Sequence, residues 1–271
     1  MKSTIVTALF DIGRAKIDGR SINQYYEWFK RTLQIQCPMQ IYSESTHTKF
    51  ILDNRPKHLE TKIVIQELSE LPYFHLKNKI DEILVSVDYK KKIADPSRIE
   101  CKNSLYSIIQ FSKFSWVFNA AQENYFGSDY FFWLDAGISR FIADLNISYA
   151  RFPGGKITSL IKKHPEKTLI QTFRRPYRDL SAKRRKIPHD YLYDNRSYVC
   201  GGIFGSDLSA IDTLSKRVDS LLVHDMINRN IINNEQIALG YLLKLHSKDF
   251  LVFENNNRIH RNFELLYRCF E

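Results

Sequence analysis

The sequence predicts an α/β fold, with a mostly parallel central sheet flanked by helices, in a single domain over residues 1–271. Short apolar runs of strand length alternate along the chain with longer segments of helical periodicity, which is typical of parallel sheets covered by helices. The composition, 44% hydrophobic and 13% aromatic, is sufficient to fill one sizeable core. No internal repeat or low-complexity linker divides the chain, and the C-terminal half is predicted to be the less regular one.

The predicted strands are short, β-branched or aromatic runs that stop at polar or glycine residues. The first, "STIVTALF", ends at "DIGR", and the central one, "FFWL", ends at an aspartate. In chain order the predicted strands cover Ser3–Phe10, Met39–Ser45, Lys62–Leu68, Phe131–Leu134, Lys167–Phe173, Tyr198–Gly205 and Asp249–Glu254.

The predicted helices have apolar residues spaced to form one face or a buried cylinder. Ser21 is a good N-cap for the first, in which Ile22, Tyr25 and Phe29 fall on one side. The predicted helices cover Ser21–Ile35, Ser104–Gln122, Asp207–Ile227 and Glu235–His246.

The charge of the chain predicts an anionic partner. The formal net charge is +10 and the pI is about 9.3, which fits nucleic acid, an acidic bilayer or phosphorylated small molecules. The segment Phe173–Lys186 is especially basic. Such runs are most often solvated loops, and the alternative is contact with phosphates of a lipid-linked substrate or of the bilayer.

The cysteines and the hydropathy predict a cytoplasmic protein. Cys37, Cys101, Cys200 and Cys269 are widely separated and form no zinc-binding spacing, so reduced, buried thiols are expected. The apolar run after Lys2 is too short for a signal peptide, and no run approaches the roughly 20 apolar residues that cross a bilayer. Peripheral contact with the inner face of a membrane remains compatible with the sequence.

The strand ends contain the candidate site residues, because ligands of open α/β sheets bind beyond the carboxyl ends of the strands. Asp135 follows the central strand directly, and Ala136 and Gly137 leave room for a ligand near the backbone. Asp135 either ligates a divalent cation that bridges a diphosphate or caps a turn near Ile138–Phe141. Arg14 either offers a fork of donors to a phosphate or lies on the surface after a turn.

Three later features have equally open interpretations. Gly201 and Gly202 indicate either a close approach of the backbone to another group or a bulge. Glu235 opens a helix, where the helix dipole alone favours an acidic residue. His260 is a single late histidine.

Three segments of the chain resemble the bacterial HtrL/YibB family, found among lipopolysaccharide and capsule genes. They are "STIVTALFDIGR", "SKFSWVFNAAQENYFGSDYFFWLDAGISRF" and "NNEQIAL", of which "TALFDIGR" and "WLDAG" are the most specific. That family in turn resembles glycosyltransferases of the Rossmann-like GT-A fold. The resemblance implies a nucleotide-donor half at about 1–140 and an acceptor-side half at about 141–271.

The resemblance also implies site residues for sugar transfer, of the hexosyltransferase type, from a nucleotide-sugar donor to a saccharide or lipid-linked saccharide of a bacterial surface glycan. The implied donor-binding residues are Thr7, Phe10, Asp11, Arg14, Lys113, Asn119, Trp133, Asp135, Ala136 and Gly137. The implied acceptor-side residues are Gly201, Gly202, Glu235 and Gln236. Asp135 and Glu235 are the implied catalytic residues; Glu235 serves as the general base if the reaction inverts and orients the acceptor if it retains.

The sequence departs from the GT-A pattern at the metal-binding DxD motif, where Gly137 takes the third position. One carboxylate remains, so Asp135 either holds Mn²⁺ or Mg²⁺ with help from the diphosphate and His260, or it hydrogen-bonds the ribose or sugar of the donor. Without a metal, Arg14 and Lys113 would stabilise the leaving diphosphate directly.

Two other functions are compatible with the composition. A non-catalytic basic protein could bind nucleic acid or anionic membrane, but the chain shows no helix-turn-helix, zinc-finger or RNP pattern, so no nucleic acid is expected. A nucleotidyltransferase would use a similar site but needs a phosphate-cradling glycine-rich loop, for which "DIGR" is too short.

Overall fold

The protein is described by a computed structural model that covers residues 2–147, 150–173, 191–254 and 263–271. Within these residues it is an α/β protein built on one mixed, mostly parallel sheet with helices on both faces. The predicted fold class is confirmed. In the described ranges, no helix is both long and apolar enough to cross a bilayer.

The described part of the sheet has seven strands in the order β3-β2-β1-β4-β6-β5-β7. The strand β6 runs antiparallel to its neighbours β4 and β5, and the remaining pairs are parallel. The strands are β1 (Ser3–Leu9), β2 (Met39–Ser43), β3 (Thr61–Ile65), β4 (Tyr130–Leu134), β5 (Thr168–Thr172), β6 (Val199–Ser206) and β7 (Phe250–Glu254).

The central strand β4 explains why four large apolar residues stand in a row. Phe131 and Trp133 belong to the core on one face of the sheet, and Phe132 and Leu134 belong to the core on the other. Because successive side chains of a strand point to opposite faces, a strand covered on both sides is apolar throughout. The strand ends at Leu134, and Asp135 follows at its carboxyl end.

The described helices are α1 (Ile22–Thr32), α2 (Thr48–Asn54), α3 (Lys77–Val85), α4 (Val87–Lys92), α5 (Ser104–Glu123), α6 (Gly155–Lys162), α7 (Leu208–Ser220), α8 (Glu235–Leu245) and α9 (Glu264–Arg268). Helix α7 continues into a π-helical turn, Leu221–Met226. The N-terminus of α1 is closed by a capping box between Ser21 and Gln24, as the cap prediction for Ser21 requires.

The two faces of the sheet carry separate hydrophobic cores. Helices α3, α4, α5, α7 and α8 cover one face, and helices α1, α2, α6 and α9 cover the other. The 20-residue helix α5 is buried along most of its length and lies directly against β1 and β4. This position brings residues in the middle of α5 to the carboxyl ends of β1 and β4.

Candidate functional site

A cleft opens at the carboxyl ends of β1 and β4. It lies where strand-end residues of an α/β sheet usually meet a ligand. Its cationic residues are Arg14, Arg20, Lys113 and Arg140, its carboxylates are Asp11 and Asp135, and its aromatic residues are Phe10, Tyr25, Tyr106 and Trp133. The lining is therefore both cationic and rich in rings.

The loop after β1 holds Arg14 in one orientation. The Asp11 carboxylate accepts a hydrogen bond from the Gly13 backbone N–H at 2.9 Å, and Gly13 has a φ of +72°, which glycine adopts at little cost. Arg14 is buried, forms an ion pair with Asp18, and donates to the Tyr25 hydroxyl at 2.6 Å. The guanidinium carbon also lies 5.0 Å from the centroid of the Tyr106 ring. Arg14 is thus a built-in part of the cleft and not a surface residue.

The floor of the cleft is an ionic cluster around Lys113. The ammonium Nζ lies 3.0 Å from Asp135 Oδ1 and 2.8 Å from Glu235 Oε1, and it is 3.4 Å from the Gly201 carbonyl oxygen. The Lys113 side chain is 2% exposed and that of Glu235 is 4% exposed, whereas Asp135 is 30% exposed. Asp135 is therefore the carboxylate of the cluster that a ligand can reach.

The electrostatics of the cluster favour a charged lysine. Burial alone lowers the pKa of Lys113, but the adjacent Asp135 and Glu235 carboxylates outweigh it and raise that pKa above its usual value. Burial also raises the pKa of Glu235, assisted by the charge of Asp135 and opposed by Lys113. One ammonium between two carboxylates leaves the cluster with a net negative charge when both acids are ionised.

Asp135 does not cap the turn that follows it. Its Oδ1 accepts hydrogen bonds from the Trp133 indole N–H at 2.8 Å and from Lys113, while its backbone N–H donates to the Gly202 carbonyl. The 3₁₀ turn Ile138–Ile142 begins without a side-chain cap. Of the two interpretations of Asp135, the structure thus excludes capping.

The two glycines of β6 permit the close approach on which the cluster depends. A Cβ atom at Gly201 would overlap Glu235 Oε1, and one at Gly202 would lie 2.9 Å from Ile138 Cδ1 and 3.3 Å from Asp135 Oδ2. The register between β5 and β6 also shifts here: Ile170 pairs with Phe204 and Thr172 with Val199, so β6 bulges between these pairs at residues that include Gly201 and Gly202. The Glu235 carboxylate packs where a Cβ atom of residue 201 would lie, so this position requires glycine.

Arg140 occupies the space beside Gly137. A Cβ atom at Gly137 would overlap Arg140 Nη1 and would lie 3.1 Å from Trp28 Cε3. The guanidinium stacks 4.8 Å from the Trp28 centroid and donates to the Gly137 carbonyl at 3.2 Å. Among the described residues no carboxylate forms an ion pair with Arg140, and burial lowers its pKa.

Aromatic rings support the wall of the cleft next to Lys113. Phe10 stacks on Trp116 at a centroid distance of 5.5 Å, and Trp116 stacks on Trp133 at 6.0 Å. The Lys113 ammonium lies 5.7 Å from the Trp133 centroid. Together with Trp28, all three tryptophans of the chain lie in or against the cleft wall.

The structure brings together most, but not all, of the predicted donor-site residues. Phe10, Asp11, Arg14, Lys113, Trp133, Asp135, Ala136 and Gly137 line the cleft. Thr7 is fully buried within β1, and Asn119 is exposed elsewhere on α5; neither lines the cleft. His260 lies outside the described residues, and of the basic segment Phe173–Lys186 only Phe173 lies within them.

The acceptor-side residues lie behind the cleft and not in it. Gly201 and Gln236 flank Glu235, whose carboxylate is held by Lys113 and does not line the cleft. A general base must come within hydrogen-bonding distance of the hydroxyl that it deprotonates. The geometry therefore does not support the prediction that Glu235 takes the proton of the acceptor.

Sequence reasoning missed Arg140, Tyr25, Arg20 and two residues of α5, Tyr106 and Gln110. Tyr106, Gln110 and Lys113 recur at helical spacing, so they form one face, and all three line the cleft. That spacing was a signal that the sequence contained. No sequence pattern indicated Arg140, because its guanidinium reaches the cleft through the space that a side chain at position 137 would fill.

The predicted divalent-cation site at Asp135 has few protein ligands among the described residues. In the described residues no group of three or more histidine, cysteine, aspartate or glutamate side chains is arranged to hold a metal. Magnesium and manganese prefer several oxygen ligands, but Gly137 supplies no carboxylate and Asp135 Oδ1 already accepts from an ammonium and an indole. The metal-ligand role predicted for Asp135 thus lacks a supporting donor set here.

The fold and the site define a class: an α/β protein with a cationic, aromatic-walled cleft at the carboxyl edge of its sheet. The chain belongs to the HtrL_YibB family, described as bacterial protein of unknown function, whose model matches residues 1–271. The predicted family membership is confirmed. No curated protein matches the sequence.

Solved structures with related folds are distant in sequence. The apo form of mouse xyloside xylosyltransferase 1 is 11% identical, with a TM-score of 0.48, over 93% of this chain and 85% of that one. The inositol-1-phosphate CTP transferase from T. maritima is 13% identical, with a TM-score of 0.43, over 99% and 96%. HddC from Yersinia pseudotuberculosis is 8% identical, with a TM-score of 0.33, over 79% and 80%.

Proposed function

We propose that this protein is a glycosyltransferase that binds a nucleotide-activated sugar in the cleft and transfers the sugar to a saccharide acceptor. The observation that carries the proposal is the convergence of Arg14, Lys113 and Arg140 with the partly exposed Asp135 at the ends of β1 and β4. This combination matches a ligand that has both a diphosphate and hydroxyl groups.

The cations meet the charge that develops during sugar transfer. When the bond between the anomeric carbon and the diphosphate breaks, negative charge accumulates on the leaving phosphate oxygens. Fixed cations in a partly buried site stabilise that charge without reorganising, which lowers the barrier. Arg14 and Arg140 are held by ring contacts, so their positions do not depend on the ligand.

The carboxylates of the cluster take different roles in this proposal. Asp135, 30% exposed, accepts hydroxyl groups of the donor sugar or ribose. Glu235 is a positioning residue that fixes the Lys113 ammonium toward the cleft. The aromatic wall at Phe10 and Trp133 offers flat apolar surface to the nucleoside.

The acceptor is proposed to be a bacterial surface glycan, of the lipopolysaccharide or capsule type, presented as a lipid-linked saccharide at the cytoplasmic face of the membrane. The net charge of +10 and the basic segment Phe173–Lys186 support peripheral contact with an anionic bilayer. The family resemblance to proteins among lipopolysaccharide and capsule genes supports the choice of glycan.

The test is release of nucleoside diphosphate from a panel of nucleotide sugars, with thermal shift as a second measurement. We expect slow hydrolysis of at least one donor and a shift of the melting temperature with that donor. Asp135→Asn should reduce turnover at least about tenfold, since a charged hydrogen-bond acceptor contributes roughly 1.5–3 kcal/mol.

Asp212→Asn is the matched control, because Asp212 is 32% exposed and pairs with Lys216 at 2.6 Å, outside the cleft. It should turn over as the wild type does. If no donor is hydrolysed or shifts the melting temperature, the proposal is wrong. Release of pyrophosphate from nucleoside triphosphates with a sugar phosphate would instead identify a nucleotidyltransferase.

A further inference from the structure

The space beside the carboxyl end of β4 is filled by side-chain cations. Arg140 Nη1 stands where the side chain of residue 137 would begin, so no carboxylate can occupy that position without displacing the guanidinium. On the other side of Asp135, the Lys113 ammonium lies 3.0 Å from Oδ1. Asp135 is thus flanked by one cation on α5 and another on the turn after β4.

These two cations differ in how they are compensated. Lys113 is balanced by Asp135 and Glu235, both within 3.0 Å. Arg140 donates a hydrogen bond to the Gly137 carbonyl and stacks on Trp28 and Phe141; the charge of Asp135 acts on it, but no carboxylate of the described residues forms an ion pair with it. A half-buried guanidinium that lines a cleft and makes no ion pair there has donors to offer to an anionic ligand.

A divalent cation would be disfavoured in this arrangement. Because Asp135 Oδ1 already accepts from the Lys113 ammonium and the Trp133 indole N–H, a cation would have to bind through Oδ2, beside the ammonium and on the carboxylate whose charge also acts on Arg140. Like charges at a few ångströms repel. The other carboxylate of the cleft, Asp11, lies on the loop after β1, where its Oδ1 accepts a hydrogen bond from the Gly13 backbone N–H.

We propose, building on the function above, that the cleft binds the diphosphate of its ligand without a divalent cation, with the Arg140 guanidinium taking the place of the metal and of its second carboxylate. Arg140 and Arg14 donate to the phosphate oxygens, and Lys113 fixes Asp135 at the edge of the anion site. The ligand class is a nucleoside diphosphate or its sugar ester, bound in its metal-free form.

The experiment measures the affinities of inorganic pyrophosphate, uridine diphosphate and guanosine diphosphate by isothermal titration calorimetry, in EDTA and again in excess Mn²⁺. We expect at least one of these probes to bind the full chain in EDTA, with an affinity that Mn²⁺ does not increase. Arg140→Gln should weaken that binding about tenfold or more in both buffers, and Arg140→Lys should restore part of it.

Arg229→Gln is the control for loss of one arginine, since Arg229 is exposed and does not line the cleft. Its affinity should equal that of the wild type. Binding that requires Mn²⁺, or an Arg140→Gln variant that binds as tightly as the wild type, would overturn this inference and leave the proposed function standing. An absence of binding in both buffers, for all three probes, would overturn both.

Discussion

Two buried cations lie at opposite ends of the strands of the sheet, and they contact different kinds of partner. Arg55, 5% exposed, lies at the amino ends of β2 and β3. It donates to the carbonyl oxygens of Leu33, Ile35 and Cys37 at 2.6–2.9 Å. Its Nε donates to the Thr61 hydroxyl at 3.0 Å. Burial lowers the pKa of Arg55 to about 10, since none of these partners is a carboxylate.

Lys113, at the carboxyl edge, is surrounded by carboxylates instead. Its two ion pairs raise the pKa of Lys113. The carbonyl partners of Arg55 carry no charge, so burial lowers the pKa of Arg55. Arg55 uses its donors to tie the backbone before β2, while Lys113 orients a carboxylate that a ligand can reach. The comparison teaches that burial alone does not identify a site cation; the charge and exposure of its partners do.

The largest expected effect is that of Lys113→Met. The substitution leaves Glu235 and Asp135 close together without their counter-ion, and breaking a buried ion pair costs about 3–5 kcal/mol. Urea unfolding should show that loss of stability, and binding of a diphosphate probe by the folded variant should fall. A variant as stable as the wild type would mean that the cluster does not stabilise the fold.

The same variant has a pH dependence of known sign. The pKa of Glu235 is already raised from 4.5, and loss of the ammonium, which opposes that shift, raises it further. An acid whose folded pKa is raised contributes stability below its unfolded pKa and loses it as the pH rises through the folded value. The stability gap to the wild type should therefore widen as the pH rises above 4.5, the ordinary pKa of a glutamate. A stability difference between the variant and the wild type that does not change with pH would contradict the ion pair between Lys113 and Glu235.

A smaller effect is expected for Arg55→Met, which removes hydrogen bonds from several buried carbonyl groups. We expect the free energy of unfolding to fall by about 3 kcal/mol, the lower end for three buried acceptors at roughly 1–3 kcal/mol each, because the Ile35 carbonyl still accepts from the Cys37 backbone N–H. Affinity for a diphosphate probe should stay unchanged in the folded variant. A loss of affinity without a loss of stability would reverse the distinction between the two cations.

The smallest of the three effects is that of Gly201→Ala. The added methyl group would overlap the Glu235 carboxylate, and overpacking of this kind costs about 1–3 kcal/mol. Gly155→Ala is the matched control, because a Cβ there meets nothing within 4 Å, and it should be neutral or slightly stabilising. Equal stabilities for the two variants in thermal melts would show that Glu235 is free to move away.

The parts of the fold that the sequence predicted are those fixed by local pattern. The run Phe131–Leu134, the cap at Ser21 and the long apolar composition of α5 each indicate their own element. The antiparallel direction of β6 was not predicted, because it depends on how distant segments pack. The short helices α2, α3, α4, α6 and α9 were also missed, since five to nine residues contain little periodicity.

The site divides in the same way. Asp135 follows β4 directly and Arg14 lies in the loop after β1, so the sequence was sufficient to predict that both lie at the carboxyl ends of strands. The ion pair of Lys113 with Glu235 joins residues 122 apart, and the sequence alone offered no reason to connect them. The position of Arg140 depends on a side chain that Gly137 lacks, and that interaction appears only once the turn after β4 is folded.

The placement of the three tryptophans has an optical consequence. Trp28 stacks on Arg140, Trp133 bonds to Asp135, and Trp116 links Trp133 to Phe10. The tryptophan fluorescence of the chain, excited where tyrosine does not absorb, therefore originates entirely from residues in or against the walls of the cleft, next to the groups that would change their contacts when an anion enters. The emission spectrum of the unlabelled protein is a local probe of the site.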